Sequence, residues 1–154
     1  MIMSTLAPPA PAEIVTSDLL GPIAAAPAAW FTFPAGLYGF ESCRSFVLVP
    51  AGRPALHWLQ SVEESGLVFL LAEPGHFFPD DELDVPAPDL DALAGAGAAA
   101  DDFAAFAIVT LGERRGDATI NLQAPLVLHV PSRAGRQIVR DDGRARVRVP
   151  LAIG

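Results

Sequence analysis

Ten short apolar runs, each bounded by glycine, proline or charged residues, constrain the fold of this chain more than any other feature. Runs of this length with turn residues between them are typical of strands, and many such strands favour an antiparallel sandwich or barrel. Two runs, residues 67–71 and 103–111, are apolar on both faces and are therefore predicted to be central. The predicted strands cover residues 14–16, 30–33, 46–49, 56–59, 67–71, 103–111, 118–122, 126–130, 137–139 and 144–149.

The last run is the most regular, because small apolar residues and arginines alternate along it with a period of two. It predicts a strand with a core face of Ala145, Val147 and Val149 and an opposite face of Arg144, Arg146 and Arg148. Only residues 88–93 have a helical pattern, with a proline and acids in the first turn and Gly95 as a stop. The predicted fold class is all-β, mainly antiparallel: a small β-barrel-like domain with one short helix.

Length and composition predict a single domain. A chain of 154 residues buries roughly 70% of its unfolded surface on folding, which is enough for one core without metals or disulfides. The hydrophobic fraction of 51% and the charged fraction of 18% argue against disorder in the body of the chain. Residues 1–12 carry three prolines and no charge and are predicted to form a flexible leader, followed by one domain over residues 13–154.

The net charge of −8 is distributed unevenly along the chain. Residues 1–102 contain fourteen acids and two arginines, whereas residues 103–154 contain four acids and eight arginines. The folded molecule is therefore predicted to have an acidic side and a basic side. Because phosphate backbones repel an acidic protein on average, a basic protein partner suits this chain better than free nucleic acid.

The sequence predicts a cytoplasmic protein that does not enter a membrane. Its single cysteine, Cys43, cannot form an internal disulfide, and no basic residue precedes Arg44 to supply the charged start of a secretory signal. Residues 19–40 are uncharged, but prolines and glycines interrupt them too often for a spanning helix.

Motifs that carry enzymatic chemistry are not found. His57, His76 and His129 are isolated in the sequence, and none has the spacing of metal ligands. The chain contains no nucleophile elbow, dinucleotide fingerprint or phosphate loop. A catalytic group assembled only by folding stays open at this point. The sequence nevertheless predicts a protein that is not an enzyme and that uses no cofactor and no metal.

An aromatic pair followed by acids is the best candidate for a partner-binding surface. Buried rings supply affinity in protein interfaces and charges steer association, so this combination suits a docking site. A solvated acidic turn explains the same pattern equally well. Two glutamates in the turn after the strand at residues 56–59 extend the predicted surface. The predicted partner-binding residues are Glu63, Glu64, Phe77, Phe78, Asp80, Asp81 and Glu82.

Two other segments receive a structural interpretation. Six of the ten arginines lie between Arg133 and Arg148. This suggests RNA binding, but no aromatic residues are interleaved to stack bases, so a charged strand face is favoured. Gly36 and Gly39 bracket a predicted tight reversal, after which Phe40 is expected to re-enter the core.

Four motifs, in this order and at these separations, resemble the flagellar assembly factor FliW family over about residues 13–151. They are Gly36-Leu37-Tyr38-Gly39-Phe40, Trp58-Leu59-Gln60-Ser61, Phe77-Phe78-Pro79-Asp80 and Asn121-Leu122-Gln123-Ala124-Pro125-Leu126. The resemblance implies a non-enzymatic adaptor with a β-barrel-like fold that binds newly made flagellin in the cytoplasm. It also implies that, once flagellin has been exported, the protein binds the translational repressor CsrA and relieves its block on flagellin messenger RNA. The alternative is a small β-barrel that binds a small molecule or RNA directly.

Overall fold

The computed structural model describes residues 12–80, 87–114, 116–140 and 146–153. Within these ranges the chain forms eleven strands and two short α-helices, and single 3-10 turns cover Pro27–Ala29 and Ala100–Asp102. The strands are β1 (Glu13–Ser17), β2 (Gly21–Ala25), β3 (Trp30–Thr32), β4 (Ser45–Pro50), β5 (Leu56–Ser61), β6 (Val68–Ala72), β7 (Phe103–Thr110), β8 (Thr119–Ile120), β9 (Leu126–His129), β10 (Ala134–Gln137) and β11 (Val149–Pro150). The helices are α1 (Pro74–Phe77) and α2 (Ala87–Ala94).

Seven of these strands close into a barrel. The order β7-β6-β5-β4-β3-β10-β9 returns to β7, because β7 pairs with β6 through one half of its length and with β9 through the other. Neighbouring strands are antiparallel except β3 and β10, which run parallel and share one residue pair. The all-β prediction is confirmed, and the predicted central strands β6 and β7 both lie inside the sheet.

The barrel interior is filled by side chains. Phe33, Phe46 and Leu59 are fully buried there, and the rings of Phe33 and Phe46 meet edge to face at 5.4 Å. Alternation along β5 and β6 sends Leu59 and Leu71 inward and Trp58 and Leu70 outward. Two further cores therefore lie outside the barrel wall.

The outer cores are covered by the remaining elements. β8 and β11 extend the sheet beyond β7 and cover an apolar cluster that includes Leu70, Val109, Ile120 and Leu151. The separate hairpin of β1 and β2 covers Val47 on the outer face of β4.

The structure corrects several sequence-based boundaries. α2 is confirmed, and Gly95 follows it with a positive φ of 84° and an amide that donates to the Asp91 carbonyl. β2 and the one-turn helix α1 were not predicted. The predicted strand over residues 144–149 is wrong in its described part, because only Val149 of it is in a strand and Val147 is 51% exposed. Residues 144 and 145, and residues 1–11 of the predicted leader, lie outside the described residues.

Candidate docking surfaces

The predicted partner-binding residues lie at opposite ends of the β5–β6 hairpin. Leu56 pairs with Ala72 at one end and Gln60 pairs with Val68 at the other. Glu63 and Glu64 are in the turn that joins the two strands, whereas the aromatic pair follows β6 beyond its far end. Strands of this length span on the order of 15 Å. The structure therefore does not bring the two groups into one continuous surface.

Phe77 and Phe78 close the end of an outer core. Both side chains are half-buried and pack against the cluster beneath β8 and β11. Helix α1 positions them: Pro74 occupies its first turn, where no amide hydrogen is needed, and the Phe78 amide donates to the Pro74 carbonyl at 2.7 Å. Asp80 is exposed after this turn, and Asp81 and Glu82 lie outside the described residues.

Glu63 and Glu64 differ in their roles although both are exposed. The Glu63 carboxylate accepts hydrogen bonds from the amides of Arg44 at 3.0 Å and Ser45 at 3.1 Å, so it fixes the start of β4. The Glu64 carboxylate makes no hydrogen bond or ion pair within the part of the chain that the structure describes. Glu63 is thus held by the scaffold, and Glu64 presents an unengaged negative charge.

Gln60 holds the turn that carries these glutamates. Its side chain is fully buried, and its Nε2 donates to the carbonyls of Ser61 at 3.0 Å, Glu64 at 3.3 Å and Ser65 at 3.2 Å. The carbonyls of Glu64 and Ser65 also accept backbone amides, so Gln60 adds a second hydrogen bond to each and links three carbonyls of one turn. This residue of the Trp58-Leu59-Gln60-Ser61 motif therefore has a structural role.

The turn at residues 36–40 adds aromatic surface that the sequence analysis missed. Leu37 is its buried anchor, whereas Tyr38 is 62% and Phe40 38% exposed, so the expectation that Phe40 re-enters the core is wrong. Gly36 has a φ of +67°, and a Cβ at this position would lie 2.6 Å from the Cα of Glu41. The turn therefore requires glycine here.

This turn and the glutamates share one end of the barrel. The Phe40 ring packs edge to face on Phe69 of β6 at 5.4 Å. Glu63 caps the start of β4, the strand that follows the turn. We call this end the turn-end surface and define it by Tyr38, Phe40, Glu41, Glu63, Glu64 and Phe69. The residues of this surface come together only in the folded chain, so no sequence pattern indicated it.

The Asn121–Pro125 segment is connected to the turn-end surface by hydrogen bonds. The Asn121 Oδ1 accepts hydrogen bonds from the amides of Gln123 at 3.0 Å and Ala124 at 3.2 Å, which closes a local turn. Gln137 then joins the two regions: its Nε2 donates to the Ala124 carbonyl at 3.2 Å and its Oε1 accepts the Tyr38 amide at 2.9 Å. Two motifs that are far apart in sequence are therefore neighbours in the fold.

Three arginines of the basic half serve the fold. Arg140 is buried and donates to the Leu122 carbonyl at 3.2 Å. Arg133 donates to the Ala28 carbonyl at 2.7 Å, and its guanidinium lies 5.9 Å from the centre of the Phe31 ring. Arg136 lies 4.0 Å from a carboxylate oxygen of Asp89. These contacts weigh against a continuous arginine surface for RNA.

Within the described ranges, neither a cluster of metal-ligating side chains nor a membrane-spanning helix is found. Among residues 12–80, 87–114, 116–140 and 146–153, His, Cys, Asp and Glu side chains nowhere gather in threes that could hold a metal ion. None of the helices in these ranges is both long and apolar enough to span a bilayer. His57 instead lies 3.4 Å from the Glu73 carboxylate, and the His129 Nδ1 lies 2.6 Å from the Ser132 hydroxyl.

A closed seven-stranded barrel with a packed interior and charged end loops defines this chain as a small β-barrel domain. Comparison with known proteins identifies the family. A family model described as FliW protein matches residues 13–151. The chain belongs to the FliW family of flagellar assembly factors, as the sequence motifs indicated.

Individual relatives agree with this assignment. The chain is 32% identical over 139 residues to the flagellar assembly factor FliW of Caldicellulosiruptor saccharolyticus, an alignment that covers 90% of each chain. It is 36% identical over 126 residues to that of Symbiobacterium thermophilum, covering 80% of this chain and 90% of the relative. A crystal structure of the flagellar assembly factor FliW superposes with a TM-score of 0.82 at 29% identity, over 92% of this chain and 99% of that one.

Proposed function

We propose that this protein is a cytoplasmic, non-enzymatic adaptor that binds flagellin and, when flagellin has been exported, binds CsrA and relieves repression of flagellin translation. Family membership over residues 13–151 is the observation that carries the proposal. Under this proposal, the same protein senses the supply of flagellin and adjusts its synthesis.

The architecture supports action by docking. The barrel interior is packed with buried aromatic and aliphatic side chains, and the buried glutamine and arginine hydrogen-bond to main-chain carbonyls. Because these side chains occupy the barrel interior in the described part of the chain, we expect function at the surface. Acidic groups are exposed at both ends of the β5–β6 hairpin.

We propose that both ends contribute to partner binding. One end contains Glu63 and Glu64, and the other contains Phe77, Phe78 and Asp80. Asp81 and Glu82, which follow in the sequence and lie outside the described residues, belong to the same proposal. Phe77 and Phe78 are only half-buried, so part of each residue is accessible to a partner while the rest packs in its core. Exposed carboxylates next to them favour a basic partner and faster association at low salt.

The experiment is a reconstitution with purified components. Calorimetry is expected to detect binding of this protein to flagellin and, separately, to CsrA. In a gel shift with flagellin leader RNA and CsrA, added protein is expected to release the RNA, and added flagellin to restore the complex. Absence of heat with both proteins would contradict the proposal. A direct shift of the RNA without CsrA would instead favour RNA binding by this chain.

A further inference from the structure

We propose that Tyr38 and Phe40 are the aromatic anchor of a docking site at the turn-end surface, and that this site takes an apolar side chain flanked by lysine or arginine on the partner protein. This inference rests on the proposed function, because it specifies the chemistry of the partner segment that this end of the barrel binds.

Tyr38 has the properties of an interface anchor. It is 62% exposed, and within the described residues its ring and hydroxyl have no hydrogen-bond or ring partner. Its backbone is nevertheless fixed, because Leu37 is buried, the Tyr38 amide donates to Gln137, and the Gly39 amide donates to the Glu41 carboxylate at 2.9 Å. A large aromatic side chain on a fixed turn loses little conformational entropy on binding, which favours its use as a hot spot.

A cleft beside Tyr38 gives the partner a place to insert a side chain. Its volume is about 80 Å³, and it is lined by Ala35, Gly36, Tyr38, Glu41, Arg136 and Gln137. This is several times the space that one water molecule needs. A short aliphatic side chain placed there would contact the Tyr38 ring on one side. Phe40, two residues further along the same turn, packs on Phe69 and adds apolar surface to this end.

The charges around this surface select the residues that flank such a side chain. Glu41, Glu63 and Glu64 are exposed around the aromatics. Arg44 and Arg136 also lie near, but Arg136 faces Asp89 at 4.0 Å, so carboxylates outnumber unpaired cations. Lysine or arginine on the partner would be attracted to this rim, whereas a phosphate backbone would be repelled. The occupant is therefore a basic protein segment.

The test compares Tyr38→Ala with two matched variants by calorimetry against CsrA and against flagellin. Tyr38→Ala is expected to weaken binding of at least one of them by tenfold or more. Tyr38→Phe keeps the ring and is expected to bind within threefold of the wild type. Val130→Ala removes a 44% exposed apolar side chain beyond the opposite end of β9 and is expected to leave binding unchanged.

The outcomes separate the two proposals. If the wild type binds and Tyr38→Ala binds both proteins within twofold of it, the anchor is wrong and the proposed function stands. If the wild type binds neither protein, the proposed function is wrong, and the docking role of Tyr38 and Phe40 is wrong as well. Urea unfolding checks the fold, and Tyr38→Ala is expected to leave the midpoint unchanged because the side chain is 62% exposed.

A competition experiment tests the chemistry of the partner segment. Two synthetic peptides are used, each with a central leucine, one flanked by lysines and the other by glutamates. The lysine peptide is expected to displace the bound protein at lower concentration, and Tyr38→Ala is expected to lower its affinity. Equal displacement by both peptides, or stronger displacement by the glutamate peptide, would overturn the assignment.

Discussion

At the scale of single residues, Gly135 shows how closely the barrel interior is packed. A Cβ at this position of β10 would lie 2.5 Å from the Phe33 ring and 2.8 Å from a methyl group of Leu128. Both of these side chains are fully or almost fully buried, so neither has space to move away. The absence of a side chain at Gly135 is therefore what lets Phe33 fill the barrel.

Replacing Gly135 with alanine is expected to destabilise the protein by about 1–3 kcal/mol through overpacking. The shift of the urea midpoint measures the change, provided that the slope of unfolding free energy against urea concentration is the same for both proteins. Gly75→Ala is the matched control, because a Cβ there meets nothing within 4 Å and is expected to leave the midpoint unchanged or raise it. An unchanged midpoint for Gly135→Ala would show that the interior is looser than described.

Glu63 and Glu64 allow a second test at this scale, since they are neighbours with different contacts. Glu63→Ala removes the acceptor for the amides of Arg44 and Ser45 and is expected to cost about 1 kcal/mol of unfolding free energy. Glu64→Ala is expected to cost nothing measurable, because its carboxylate has no partner in the described chain. Equal effects of the two substitutions on thermal or urea unfolding would refute the capping role of Glu63.

At the scale of elements, the Gln137 side chain couples the exposed turn to the loop before β9. It accepts the Tyr38 amide and donates to the Ala124 carbonyl, so each segment limits the motion of the other. Because these two hydrogen bonds hold an exposed turn, their loss is expected to appear first as local opening of that turn.

Gln137→Met keeps the length of the side chain but removes both hydrogen bonds. Hydrogen exchange is expected to become faster at the amides of Tyr38 and Phe40, while exchange in β5 and β6 stays close to that of the wild type. Val139→Ala, which changes an exposed side chain nearby in sequence, serves as the control. Unchanged exchange at Tyr38 would mean that Gln137 does not hold the turn.

The elements also show where sequence patterns suffice. The apolar runs predicted β4, β5, β6 and β7 within two residues at each end, because turn or charged residues bound each run. β10 was displaced from residues 137–139 to Ala134–Gln137, since its place depends on Phe33 packing over Gly135. The alternating segment at residues 144–149 was predicted as a strand. In its described part, however, the Arg146 carbonyl accepts the Leu122 amide at 2.9 Å, an interaction with a distant loop.

The candidate surface was predicted less completely than the fold. Aromatics beside acids look alike in sequence whether they stand free or cover a core, so Phe77 and Phe78 could not be recognised as half-buried. The exposure of Tyr38 and Phe40 was not predicted for a similar reason. The closed barrel determines which residue of this turn is buried, and that residue is Leu37. Glu63 and Glu64 were found correctly as exposed, since a turn between two strands faces solvent by construction.

At the scale of the whole molecule, the fold places the unevenly distributed charges of the sequence on particular surfaces. The first 102 residues carry a balance of −12, and their exposed carboxylates include Glu41, Glu63 and Glu64 at the turn end. In the basic half, Arg133, Arg136 and Arg140 are engaged within the fold. Exposed carboxylates at the turn end, together with arginines held by contacts within the fold, agree with the proposed preference for basic protein partners over nucleic acid.

The most direct test of docking through the acidic ends is the association rate of CsrA and of flagellin with Glu64→Lys and Asp80→Lys, measured over a range of salt concentrations. Both side chains are exposed, so charge reversal is expected to leave the fold intact. The account predicts association several-fold slower than for the wild type at low salt, with the difference shrinking as salt screens the charges. Wild-type rates for both variants with both proteins at low salt would contradict it.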